Sequence, residues 1–151
     1  MRAVGLDLGE RRIGVAVSDR DGRLAVPHAT IERSGDPGRD RAAIAQAVQE
    51  LGAEAVVVGL PLSLDGSPGP AALAAQAEAA VLAELLGVAV EVVDERLTTV
   101  TANRSLATAG VGSRRRRRVV DQVAATVLLQ SWLDGQRGAT PVPSEPRMEP
   151  S

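Results

Sequence analysis

Residues 3–19, AVGLDLGERRIGVAVSD, decide how the rest of the chain is organised. Strand composition runs from Arg2 to Leu8, is broken at Gly9, and returns from Ile13 to Ser18. A tight Gly-Glu-Arg-Arg turn joins the two runs as a hairpin. A third apolar stretch, Leu24 to Ile31, follows the turn at Asp21-Gly22, so three consecutive antiparallel strands are expected. Asp7 is the discordant residue, a carboxylate in the middle of a buried strand. Burying an ionised carboxylate is costly unless it is paired or holds a cation. The lesser alternative for Asp7 is an acceptor for a backbone N–H that closes the hairpin.

Downstream, a helix is expected from about Arg39 to Leu51, with Ile44, Val48 and Leu51 on one face and Gly52 at its C′ position. Ala55–Leu60 (AVVVGL) is a continuous apolar run, as in a strand covered on both faces. After the turn-rich PLSLDGSPGP loop, Pro70 starts an Ala-rich helix to about Leu86, with Leu73, Ala77, Val81 and Leu85 in register and Gly87 ending it. Val88–Val93 reads as another apolar strand and Val100–Ala109 as a short helix. A last helix runs from about Arg115 to Leu133, closed by Gly135. The order βββαβαβαα predicts an α/β domain over residues 1–137. Its mixed five-stranded sheet has the first three strands antiparallel and is flanked by helices. Residues 138–151 contain Pro141, Pro143, Pro146 and Pro150 with little that is apolar, and are expected to be a disordered tail.

Composition removes several classes of function. With no Cys among 151 residues, disulfides, thiolate catalysis and Cys-based zinc sites are excluded. One Trp and no Phe or Tyr leave an aliphatic core and no aromatic platform for stacking bases. No apolar run approaches the roughly 20 residues of a membrane span, so a soluble cytoplasmic protein without a membrane partner is expected. The net charge of −2 is uninformative, but five of the 17 basic residues, Arg114, Arg115, Arg116, Arg117 and Arg118, are consecutive.

Ligands in open α/β sheets bind at the carboxyl ends of the parallel strands. Asp7 lies near that end of the first strand, and Asp94 and Glu95 directly follow the last one in VVDERLTT. If those strands are neighbours, Asp7 converges with Glu95 or Asp94. Asp121 lies on the last helix, where Ala124 and Ala125 leave a small face that can approach the sheet and Val120, Val123, Val127 and Leu128 anchor it. Clustered carboxylates repel one another unless cations hold them together. Oxygen donors with no His or Cys nearby suit Mg²⁺ or Mn²⁺. Two such ions about 3.5–4 Å apart can activate water and stabilise the leaving oxygen in phosphodiester cleavage. Asp19 and Asp65 lie in loops that can also approach. For the substrate, Arg12 can contact phosphate or pair with Glu10, and Arg96 sits beside Glu95. Arg117 and Arg118 lie one turn before Asp121, and arginines of this kind grip the backbone without reading sequence.

Four blocks together, GLDLGERRIGVAVSD, VVVGLPLSLDGSPG, VVDERLTT and DQVAATVLLQSWL, resemble the YqgF family, also called RuvX, over roughly residues 2–134. The resemblance implies an RNase H-like fold with catalytic, metal-binding acids at Asp7, Glu95 and Asp121. It further implies a nuclease that cuts structured RNA in maturing the 5′ end of the 16S ribosomal RNA precursor; the family was earlier described as Holliday junction resolvases. Branched DNA and a non-catalytic RNA-binding assembly role are the alternatives, in a monomer or a homodimer. The first block is also similar to the opening of sugar-kinase and actin-like ATP-binding domains, but 151 residues hold only one of the two domains those proteins close around nucleotide.

Overall fold

The computed structural model describes residues 1–61, 67, 69–95 and 114–139, with side chains of the last segment described from 120 to 136. Five strands, β1 (Ala3–Leu8), β2 (Arg12–Ser18), β3 (Ala25–Glu32), β4 (Ala55–Leu60) and β5 (Ala89–Asp94), form one sheet in the order β3-β2-β1-β4-β5. β1–β2 and β2–β3 pair antiparallel, whereas β1–β4 and β4–β5 pair parallel. Three helices are described: α1 (Pro37–Leu51), α2 (Pro70–Leu86) and α3 (Arg114–Ala139). The mixed sheet with an antiparallel opening is the one expected from the sequence. The short helix over 100–109 and the tail from residue 140 lie outside the described residues. No helix among the described residues is long and apolar enough to cross a membrane.

Successive strand side chains point to opposite faces, and here the two faces have different covers. Val4, Leu6, Ile13, Val15, Val56 and Val58 pack with Ile44 and Val48 of α1 and Ala79 and Leu82 of α2. Ala3, Ala16 and Val57 pack against Ala124, Ala125, Leu128, Leu129 and Trp132 of α3. Asp7 alternates with Ala3 and Gly5, so it belongs to the α3 face. There the glycines matter, because α3 lies directly on the strands. A Cβ on Gly5 would come within 2.8 Å of Leu129 Cβ, and one on Gly14 would collide with the Asp121 carbonyl. Gly14 pairs with Asp7 across β1–β2, so this contact fixes the height of α3 above the acid. Gly14→Ala is expected to lower stability by about 1–3 kcal/mol through overpacking against backbone that cannot give way. Chemical denaturation of the variant measures it.

Several boundaries and faces differ from the sequence reading. α1 begins at Pro37 because Asp36 caps it, accepting from the Gly38 N–H at 3.0 Å, and Pro is well suited to the first helical turn. Gly52 closes α1 in the left-handed conformation, as expected, with φ 64°. The face of α2 is corrected: Ala72, Ala75, Ala79 and Leu82 are buried, whereas Leu73, Val81 and Leu85 are exposed. A helix that is Ala-rich all round has no periodicity to select a face, and close approach of small side chains to the sheet decides it. β5 is a half-exposed edge rather than a covered strand; Glu91 interrupts its apolar run and accepts from Trp132 Nε1 at 3.3 Å. Val123 is exposed instead of anchoring α3, and α3 continues through Gly135 to Ala139.

Candidate active site

The parallel strands β1 and β4 end side by side, and a cleft of about 730 Å³ opens at their carboxyl ends, with Asp7, Glu10, Arg33, Gly59, Glu78 and Glu95 in its wall. Asp7 and Glu95 are each only 4% exposed. They reach the same cleft by different routes. Asp7 sits in β1, opposite Gly14 of β2. β5 ends at Asp94, which still pairs with Leu60 of β4, and the chain then breaks so that Glu95 lies across Gly59. A Cβ on Gly59 would stand 2.5 Å from Glu95 Oε2 and 3.2 Å from its Cγ and Cδ. The glycine therefore leaves a cradle that the carboxylate fills. Since β1 and β4 pair in register up to Leu6 and Val58, Gly59 lies one residue beyond that pairing, level with Asp7.

Asp121 takes a different position. Its Oδ2 accepts from Arg12 Nε at 2.9 Å, with the two side chains 17% and 16% exposed. Arg12 thus pairs with an acid 109 residues away rather than with neighbouring Glu10. Among the described residues, no three Asp, Glu or His side chains gather closely enough to share one ion; Asp7 and Glu95 line the same cleft, and the backbone of Asp121 lies over Gly14, the partner of Asp7 in β2. Asp19 serves its own loop, accepting from the Arg23 and Leu24 N–H groups at 2.8 and 3.3 Å, which lower its pKa, Arg23 most. Asp94 remains in the ladder of β5. Arg96 and Asp65 lie outside the described residues, as do the side chains of Arg114–Arg118, whose backbone forms the start of α3.

Two buried carboxylates with oxygen donors only, beside a cradle open to the cleft, fit a hard divalent cation. Mg²⁺ in particular binds through one or two carboxylates and keeps waters and substrate oxygens in its remaining positions. Glu78, a further acid of the cleft, is held by Arg41 of α1 through two bonds of 2.9 and 3.0 Å. Glu78 carries no local sequence signal, since it is held by Arg41 of a separate helix, whereas Glu10 belongs to the β1–β2 turn. Arg33 had one faint marker, its place just past β3, beside the opening hairpin.

The family model for RuvX, described as Holliday junction resolvase, matches residues 1–135. The chain belongs to the RuvX family. Relatives named as candidate pre-16S rRNA nucleases include one from Myxococcus xanthus (strain DK1622), 51% identical over 137 residues, covering 91% of this chain and 90% of that protein. Another, from Mycobacterium sp. (strain KMS), is 49% identical over 145 residues, covering 95% and 86%. Among solved structures, T. thermophilus RuvC in complex with Holliday junction substrate is similar with a TM-score of 0.59 and 17% identity, over 92% of this chain and 97% of that one. The RuvX chain therefore has the RNase H-like fold, in which Asp7 lies on the first strand and Asp121 on the last helix.

Proposed function

We propose that this RuvX protein is a metal-dependent endonuclease that hydrolyses phosphodiester bonds in structured RNA, in the 5′-end maturation of the 16S ribosomal RNA precursor. The observation that carries this reading is the meeting of buried Asp7 and Glu95 over the Gly59 cradle at the sheet's carboxyl end. Among the described residues of the cleft there is no Ser, Thr, Cys or His side chain, whereas anionic oxygens suit Mg²⁺ or Mn²⁺. When bound, such ions supply Lewis acidity and a water of lowered pKa. Asp7 and Glu95 would hold them, and Asp121 is the third acid of the set, oriented by the bond it accepts from Arg12. Arg12, Arg96 and Arg114–Arg118 are assigned to the phosphate backbone, which they position without reading bases. The names of the relatives support RNA as substrate; the family's description keeps branched DNA as the second reading.

The substrate question is tested by incubating the protein with a structured RNA spanning the precursor's 5′ end and, in parallel, with a four-way DNA junction. Each is run with Mg²⁺, Mn²⁺ or EDTA. The expected result is cutting of the RNA with either metal and none in EDTA. Cutting of the junction alone would assign the resolvase activity, and binding of RNA without cutting in any metal would make the protein an assembly factor.

A further inference from the structure

The acidic cleft contains a cation that the readings above leave without a role. Among the described residues of its wall, four are carboxylates, Asp7, Glu10, Glu78 and Glu95, and Arg33 is the single basic side chain. A phosphodiester entering such a wall meets the charges of Asp7, Glu10 and Glu95, with Glu78 already paired to Arg41, and among the described residues it finds attraction at Arg33. We infer that Arg33 is a phosphate-binding residue at the mouth of the cleft, and that the substrate strand passes over it into a second recess. This inference rests on the nuclease reading and adds the path of the strand to it.

Arg33 is held at that mouth by two bonds. Its Nε donates to the Gly9 carbonyl at 2.7 Å, and its backbone N–H donates to the Arg11 carbonyl at 2.9 Å, extending the β2–β3 pairing beyond Glu32. Gly9 takes one of the five N–H donors of a guanidinium. The side chain is therefore fixed beside the β1–β2 turn while retaining donors in the planar fork that matches phosphate oxygens.

On its other side Arg33 lines a second recess of about 580 Å³, whose wall also includes Arg11, Arg12, Glu32 and Asp40. Glu10 and Arg33 are shared by the two cavities, which makes them the saddle between cleft and recess. Asp40 makes its hydrogen bonds to Ser34, whose N–H and hydroxyl donate to its Oδ1 at 2.9 and 2.8 Å. These bonds lower its pKa most, and the nearby Arg33 and Arg39 charges lower it further, so Arg33 keeps its fork donors but shares its charge with this acid. Arg11, exposed on the turn, lies where the next stretch of backbone would run. A nucleic-acid strand leaving the Asp7–Glu95 pair thus has a cationic step at Arg33 and a second at Arg11.

The test is binding of a fluorescently labelled structured RNA in EDTA, where no cutting occurs, measured across a salt series for wild type, Arg33→Gln, Arg33→Lys and Arg11→Gln. Arg33→Gln is expected to weaken binding about tenfold and to reduce the salt slope by about one. Arg33→Lys should keep the slope and lose only part of the affinity, because its charge remains while the fork is gone. Arg11→Gln, at an exposed position with no bearing on folding, should also reduce the slope by about one. Thermal unfolding is followed for every variant. If Arg33→Gln lowers the unfolding temperature but leaves affinity and slope unchanged, Arg33 merely props the Gly9 turn and the inference is overturned, with the nuclease reading intact. An unchanged slope in Arg11→Gln overturns the path into the second recess. If wild type binds neither RNA nor junction in EDTA and cuts neither with Mg²⁺ or Mn²⁺, the nuclease reading itself falls, and this one with it.

Discussion

Asp7→Asn is expected to slow metal-dependent cleavage at least about 100-fold, the scale of losing one preorganised electrostatic contact to a transition state. Stability and RNA binding should be nearly unchanged. Asn preserves the shape of the side chain and one oxygen, so the strand and its pairing with Gly14 remain. What it removes is the negative charge, half of the buried pair with Glu95. A cation held by one carboxylate instead of two binds more weakly and polarises less. The folded protein loses little, because a buried carboxylate is expensive to keep charged, and denaturation should place the variant within about 1 kcal/mol of wild type. RNA affinity in EDTA should hold or rise, since one repulsive charge has left the cleft. Cleavage at the wild-type rate under single-turnover conditions with Mg²⁺ would remove Asp7 from the active site.

Gly59→Ala is the second large effect, and it separates activity from stability more sharply. Alanine is no worse than glycine in a strand, and β4 is buried along its whole length. The added methyl carbon meets only the far end of a flexible side chain, Glu95, at 2.5 Å from Oε2. Glu95 can swing away at small cost, but doing so moves the carboxylate out of the cradle. A displacement of about 1 Å in a positioned group can cost about 100-fold in rate, and a loss of that order is expected here, with an unfolding temperature unchanged or slightly raised. Contrast with Gly14→Ala is instructive: there the methyl meets α3 backbone, and stability is lost instead. Full activity in Gly59→Ala would mean that Glu95 does not act from the position it occupies over β4.

The parts of this molecule visible in the sequence are those specified locally. The hairpin of β1 and β2, the apolar run of β4, the Gly52 cap and the odd acid at Asp7 each follow from neighbours within a few residues. The residues alone leave Asp94 and Glu95 as alternatives beyond a strand ending at Val93, and only the family resemblance singles out Glu95; the structure keeps Asp94 in the ladder and buries Glu95 at the cleft. Other features depend on pairings that no window contains. Arg12 could not be matched to Asp121 from its surroundings, and Arg41 could not be matched to Glu78, because both partners lie on separate elements. The buried face of α2, Ala72, Ala75, Ala79 and Leu82, has no mark in the sequence because alanines through most of the helix erase the pattern that normally shows it. Arg33, which lines the cleft, stands alone in its stretch of sequence with nothing beside it to match the conspicuous five-arginine run.

The seating of α3 on Gly5 and Gly14 has a consequence for the order in which the protein becomes competent. β1 to β3 leave the ribosome first and can pair among themselves through short turns. Among the described residues, the surface that bears Asp7 gains its cover from α3, and the Arg12–Asp121 link joins residues 109 positions apart. Contacts of such long sequence separation form late, and domains assemble largely as their chain emerges. Until the last helix has docked, the nascent chain is expected to present an open sheet with its acids in water, unable to cut the RNA of the particle that is making it.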